Sequence, residues 1–90
     1  MTIEFDPEKN LGNRKKHGID LAEAASVLDD PFVLTVENGS ARDEQRHVSL
    51  RRDSLCRLLV VVWTERGENI RLISARKASR GETGHYRGRP

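Results

Sequence analysis

Three arginines, Arg66, Arg71 and Arg76, stand on and beside the most apolar hairpin of a 90-residue chain, in the stretch VVVWTERGENIRLISARKA from Val60 to Ala78. A guanidinium presents a planar fork of donors that matches phosphate, stacks on bases and stays charged in a protein, so arginine in this setting points to a polyanion. Arg76 needs the most explanation. With the turn centred on Gly67-Glu68, Glu65 faces Ile70 and Trp63 faces Leu72. Carrying that register on sets Ser74 against Val61 and Arg76 against Leu59, on the face that holds Trp63 and Leu72. A charge in line with core residues is costly unless it is paired or lies at the rim of the sheet. Two readings follow: an ion pair with a carboxylate such as Glu82 or one in the first helix, or an anion site at the end of the sheet in which Arg76 and Arg46 reach from different strands toward one phosphate.

Other chemistries find no support in the residue types. His17, His47 and His85 fall on different segments and there is one cysteine, so no zinc spacing exists and no metal or cofactor is expected. No Ser/His/Asp motif is present, nor a glycine-rich phosphate loop after a strand. Cys56 has no intrachain partner; beside Leu55, Leu58 and Leu59 it reads as a small buried apolar residue in a reducing compartment. The longest apolar run, LLVVVW, is far too short to span a bilayer, and MTIEFDPEKN lacks the apolar stretch of a signal peptide. These features predict a soluble cytoplasmic protein without a membrane partner. The net charge of +2 conceals an asymmetry. Residues 1–41 carry four Lys/Arg against eight Asp/Glu, a net of −4, whereas residues 42–90 carry twelve against six, a net of +6, and nearly all of those cations are arginine.

The elements that must position these side chains form one domain over residues 1–90. Asp6-Pro7 reads as an N-cap with proline at the first helical position and Gly18 as the closing glycine, giving a helix over PEKNLGNRKKH. Asp20-x-x-Glu23 opens a second helix, LAEAASVLD, whose stripe Leu21, Ala24, Ala25 and Leu28 faces a core, and Asp30-Pro31 ends it. The period then changes to two. PFVLTVE and EQRHVSLR read as strands joined by the NGSARD loop; in the second, Arg46 shares a face with Val48 and Leu50, and His47, Ser49 and Arg51 face the other way. After a turn at Arg52-Asp53-Ser54, CRLLVVVWT is apolar on both faces, as a central strand is. IRLISARKA returns, and a short last helix over about 79–87 is weakened by Gly81 and Gly84, each worth roughly 0.8–1 kcal/mol relative to alanine. The predicted class is α+β: two N-terminal helices, an antiparallel meander of about four strands and a short C-terminal helix.

Several of these segments together resemble a known family. Asn13-x-x-Lys16-His17-Gly18 followed by Ala24, Asp30-Pro31, Arg46, RLLVVVWTERG from Arg57 to Gly67, and IRLISARKA followed by Glu82-x-x-x-Tyr86 run in the order and spacing of the BrnT toxins over nearly the whole chain. The resemblance implies a RelE-like fold and a ribonuclease toxin of a type II toxin-antitoxin system that stops translation. It also implies neutralisation by a BrnA-like antitoxin with a ribbon-helix-helix DNA-binding part. That arrangement predicts a 2:2 heterotetramer in which operator DNA is bound only through the antitoxin.

Under that resemblance the chemistry is cleavage of RNA by its own 2′-hydroxyl, which needs neither metal nor protein nucleophile. The protein must grip the phosphate, meet the developing charge with fixed cations and move protons. Arg46, Arg66 and Arg76 are the candidates for the first two tasks, with Thr64 as a hydrogen-bond donor and Tyr86 stacking on or bonding to the RNA. Lys16, Arg71 and Lys77 are candidate RNA contacts. His17 is a candidate acid or base because histidine changes charge near neutral pH, its other reading being a cation at the helix C-terminus. Glu82 is either a base or the partner of Arg76. A non-catalytic nucleic-acid or protein-binding module using the same basic face is the alternative.

Overall fold

A computed structural model describes residues 2–29, 34–38 and 46–87, and of Asp29, Leu34–Asn38 and residues 85–87 the backbone alone. In chain order these form β1 (Ile3–Phe5), α1 (Pro7–His17), α2 (Leu21–Ala24) running into a 3-10 turn (Ala25–Asp29), β2 (Leu34–Asn38), β3 (Arg46–Arg52), β4 (Leu58–Arg66), β5 (Asn69–Lys77) and α3 (Arg80–Arg87). The described strands make one sheet in the order β1-β5-β4-β3-β2. Strands β2 to β5 are the antiparallel meander expected from the sequence. Strand β1 was not expected: three residues too few to show a period pair in parallel with β5, Ile3 against Ile70 and Phe5 against Leu72.

The helical segments begin and end where their caps place them. Asp6 accepts a hydrogen bond from the Glu8 amide at 2.9 Å, Pro7 opens α1, and Gly18 closes it with φ 72°, a left-handed conformation that costs glycine nothing. Asp20 caps α2 through the Ala22 amide at 2.9 Å. The second helix departs from expectation after one turn. Ser26 Oγ donates to the Glu23 carbonyl at 2.9 Å and accepts from the Ser54 amide at 2.9 Å, a side-chain competition that tightens the backbone to 3-10 geometry. With a period of three, the inward stripe becomes Leu21, Ala24 and Val27, all fully buried, and Ala25 and Leu28 move to its margin.

The core lies between this helical layer and one face of the sheet. Ile19, Leu21, Ala24 and Val27 pack on Leu59, Val61, Ile70, Leu72 and Ala75, with Ile3, Phe5 and Trp63 at the rim. Burying each larger aliphatic side chain here contributes about 1.5–3 kcal/mol. Helix α1 is held to the sheet by one polar residue. Buried Asn13 donates to the Ile19 carbonyl (2.8 Å) and the Ala75 carbonyl (2.9 Å) and accepts from the Ala75 amide (3.1 Å), so its amide stands in for a neighbouring strand where β1 has ended. Among the described residues no helix is long and apolar enough to cross a membrane.

Candidate functional site

The hairpin register decides which arginines meet. Glu65 faces Ile70 and Trp63 faces Leu72 as expected, but Val62 then faces Ser74, so Ile73 is an extra residue that bulges β5. Beyond the bulge Arg76 sits opposite Val60, correcting the expectation that it faces Leu59. The correction moves Arg76 off the helix-packed face. Leu59, Val61, Leu72 and Ala75 point to the core, so Arg76 shares the other face with Val60, Val62 and Thr64, and Lys77, opposite Leu59, faces away from it.

Five of the six arginines in the described strands lie on that second face: Arg46 and Arg52 on β3, Arg66 on β4, Arg71 and Arg76 on β5. Buried Thr64 pairs with exposed Arg46 on one side and Arg71 on the other, and Arg71 lies opposite Glu4 of β1, making one row across four strands. Arg66 follows two residues beyond Thr64 and is exposed. Glu4 approaches the Arg71 Nε to 3.7 Å, too long for a hydrogen bond, and that buried nitrogen has no other acceptor among the described residues. Arg76 is four β4 residues from the Thr64 row, about 13 Å along the strand. Arg46 and Arg76 therefore flank a stretch of the face, with Val48, Val62 and Ser74 between them, and do not converge on one point.

At its own end Arg76 takes the ion-pair reading. Its Nη1 and Nη2 donate to Glu82 Oε1 and Oε2 at 2.7 and 2.8 Å. Glu82 is fixed in turn by a capping box at the start of α3: the Ser79 amide donates to Glu82 Oε1 at 2.8 Å and the Glu82 amide to Ser79 Oγ at 3.1 Å. The bonds from Arg76, then those from the Ser79 amide, hold the Glu82 carboxyl down at about 2, and Glu82 in turn raises Arg76 above its ordinary value. Such a carboxylate is a weak base at neutral pH. The signature Ser79-x-x-Glu82 of this box is legible in the sequence. A shallow groove lined by Ala78, Arg80, Thr83 and Gly84 runs beside this helix. Tyr86 lies on α3, but its side chain is outside the described residues.

Lys16 and His17 occupy the last turn of α1 with Arg14 and Lys15, where cations meet the negative end of the helix. Lys16 is exposed and His17 half-buried, one turn on from the contact of Asn13 with Ala75. Two other polar groups serve the fold. Asp53, whose side chain is fully buried, accepts from the Leu55 and Arg57 amides and from the Arg57 guanidinium at 2.7 and 3.0 Å. Burial raises its pKa, and the bonds from Arg57 outweigh that and lower it. This knot fixes the β3–β4 turn and holds Cys56 at φ 64°. Cys56 is thus exposed in the turn, correcting its expected burial in β4. On the core face His47 stacks on Trp63 with ring centroids 4.3 Å apart, and the Trp63 indole donates to Ser49 at 2.8 Å. Among the described residues no three His, Cys, Asp or Glu side chains are grouped to hold a metal ion.

The sequence profile described as ribonuclease toxin, BrnT, of type II toxin-antitoxin system matches residues 5–82. The chain belongs to the BrnT family. A search of curated proteins finds no match. Among solved structures, the ribonuclease toxin BrnT of Brucella abortus is similar, with a TM-score of 0.66 and 25% identity over 89% of this chain and 99% of that one. The BrnT profile runs from Phe5, the last residue of β1, to the Glu82 that binds Arg76, so the arginines of the sheet face and the capping box both fall within the family's extent.

Proposed function

We propose that this member of the BrnT family is a metal-independent endoribonuclease that cleaves RNA through the substrate's own 2′-hydroxyl and thereby arrests translation and growth. The observation that carries the reading is the gathering of Arg46, Arg66, Arg71 and Arg76 on one face of the sheet, around a buried threonine and away from the core. Fixed guanidinium groups bind phosphate and stabilise the charge that develops on it without reorganising at the moment of reaction. Arg46, Arg66 and Arg71 grip the backbone at one end of the face and Arg76 at the other, with Thr64 donating between them, Tyr86 contacting the RNA, and Lys16 and Lys77 adding peripheral contacts. His17 is the candidate for moving the proton; Glu82, with its low pKa, is better suited to holding Arg76. The partner is a BrnA-like ribbon-helix-helix antitoxin in a 2:2 assembly that binds operator DNA through the antitoxin, in the cytoplasm.

Purified protein incubated with RNA in a chelator tests the activity: discrete fragments support it, and a mobility shift without fragments assigns the same face to a binding module. RNA affinity should fall with salt at a log-log slope of about −0.7 per phosphate contacted. In cells, expression of the chain alone should arrest growth and Arg76→Ala should relieve the arrest while the protein stays folded. A folded Arg76→Ala protein that remains fully toxic overturns the assignment.

A further inference from the structure

We propose that Glu82 is a positioning residue: it holds one edge of the Arg76 guanidinium so that the opposite edge is presented to an RNA phosphate. The proposal rests on the reading of this face as an RNA site, and it assigns Glu82 and Ser79 a part in that site. A guanidinium has two forks of parallel donors, one end-on between Nη1 and Nη2 and one side-on between Nε and Nη2. Glu82 occupies the end-on fork with both oxygens, and the second proton of Nη1 goes to the Lys77 carbonyl at 3.3 Å. What remains is the side-on fork, Nε–H with the second Nη2–H, and no described residue accepts from either. The Arg76 side chain is 43% exposed, so solvent and ligand reach that edge.

Stability alone accounts poorly for this arrangement. An ion pair this exposed contributes little to folding. Glu82 Oε1, which accepts from Arg76 Nη1, is also held by the Ser79 amide at 2.8 Å, while Thr83 Oγ1 ties the same cap to the Ser79 carbonyl at 2.8 Å. A long flexible side chain is thereby fixed before its ligand arrives, which removes the entropy otherwise lost on binding or on reaching the transition state. The carboxylate also carries a negative charge toward the phosphate, so the gain lies in geometry and not in attraction. That sets a distinctive expectation: removing Glu82 slows cleavage without weakening RNA binding.

The test compares the full-length chain with Glu82→Gln, Ser79→Ala, Arg76→Lys and the double variant Arg76→Lys/Glu82→Gln, each checked for folding by thermal melting. Single-turnover cleavage and equilibrium binding of a defined single-stranded RNA are measured across pH. Glu82→Gln should lower the cleavage rate by about 10²-fold, the usual cost of a misplaced group, with the dissociation constant unchanged or smaller. Ser79→Ala should follow in the same direction by a smaller factor. In the Arg76→Lys background Glu82→Gln should add nothing, because an ammonium has no second edge to aim. Wild-type rates in Glu82→Gln, additive losses in the double variant, or loss of one limb of the pH profile would each overturn the proposal, the last by making Glu82 a proton carrier. A second readout is independent of cleavage. The Arg76 Nε–H resonance should shift on titration with the same RNA carrying 2′-deoxy substitutions, and should broaden in Glu82→Gln. Failure of the proposed activity shows as RNA left intact by the wild type; failure of this inference shows as an unmoved Nε–H signal or tightly bound RNA that displaces Glu82.

Discussion

Replacing Asn13 with alanine should be among the most damaging single changes in the chain, although no ligand and no charge is involved. The substitution removes three hydrogen bonds of 2.8, 2.9 and 3.1 Å. It leaves the Ala75 amide, the Ala75 carbonyl and the Ile19 carbonyl without those partners, and both residues are fully buried, so water does not replace them. Each orphaned group costs about 1–3 kcal/mol. The better helix propensity of alanine returns about 0.6 kcal/mol. A net loss of about 2.4–8.4 kcal/mol follows, comparable with the 5–15 kcal/mol typical of a whole domain, and even its lower end corresponds to a fall in Tm of roughly 10–19 °C for a chain of this size. Urea unfolding followed by the fluorescence of Trp63, the single tryptophan, measures it, with the m-value expected to stay constant. Asn13→Asp supplies the control, because a carboxylate keeps an acceptor for the Ala75 amide but sets negative charge against two carbonyls; it should cost at least as much. A loss below about 1 kcal/mol for alanine, or tolerance of aspartate, would refute the view that this amide replaces a strand.

Two further outcomes are expected. Asp53→Ala should destabilise the protein by about 2–3 kcal/mol, because two amides of the β3–β4 turn lose their acceptor and the half-buried Arg57 guanidinium keeps only Glu23, at 3.6 Å; equilibrium unfolding of the variant checks it. Glu82 has its pKa lowered from 4.5 to about 2, so its contribution is fully present above pH 4.5 and is lost as pH falls toward 2. With both partners substantially exposed that contribution is held to about 1 kcal/mol, and the melting temperatures of wild type and Glu82→Gln should differ at pH 6 and converge near pH 2.

Features set by neighbouring residues were legible in the sequence. Pro7–His17 was bounded correctly because Asp6, Pro7 and Gly18 act within one turn of themselves. The alternation in β3 likewise separates its two faces, and the unbroken apolar run of β4 marks it as a central strand. What escaped depends on residues far apart along the chain. Strand β1 exists only because Ile3–Phe5 meets β5 some 67 positions later, and Asn13, legible as part of a motif shared with the BrnT toxins, has no visible structural task until Ala75 lies beside it. The bulge at Ile73 left no mark in the pattern, since Ile, Ser and Ala fit either register, and it alone moved Arg76 from one face to the other. Candidate arginines were thus identifiable by type, while their grouping was not. The Ser79-x-x-Glu82 signature is local, and by fixing Glu82 at the start of α3 it favours the ion pair with Arg76.

The extra residue in β5 also bears on how the chain tolerates changes of length. The turn at Gly67-Glu68 is exposed and joins two strand ends, so a residue added there alters only the loop. Deleting one residue between Leu72 and Ala75 restores regular alternation while Asn13 and the core still hold their partners on either side. Without Ile73 the ladder runs on unbroken: Ser74 stays opposite Val62, Ala75 opposite Val61 and Arg76 opposite Val60, so both faces keep their residues. While that residue is present, the strand keeps Ala75 on the core and Arg76 off it only by bulging, because pairing Ile73 regularly would turn Arg76 inward against Leu59. Among relatives, the stretch from Leu72 to Arg76 should differ in length by no more than the one residue that the bulge absorbs, with other insertions and deletions confined to the turns.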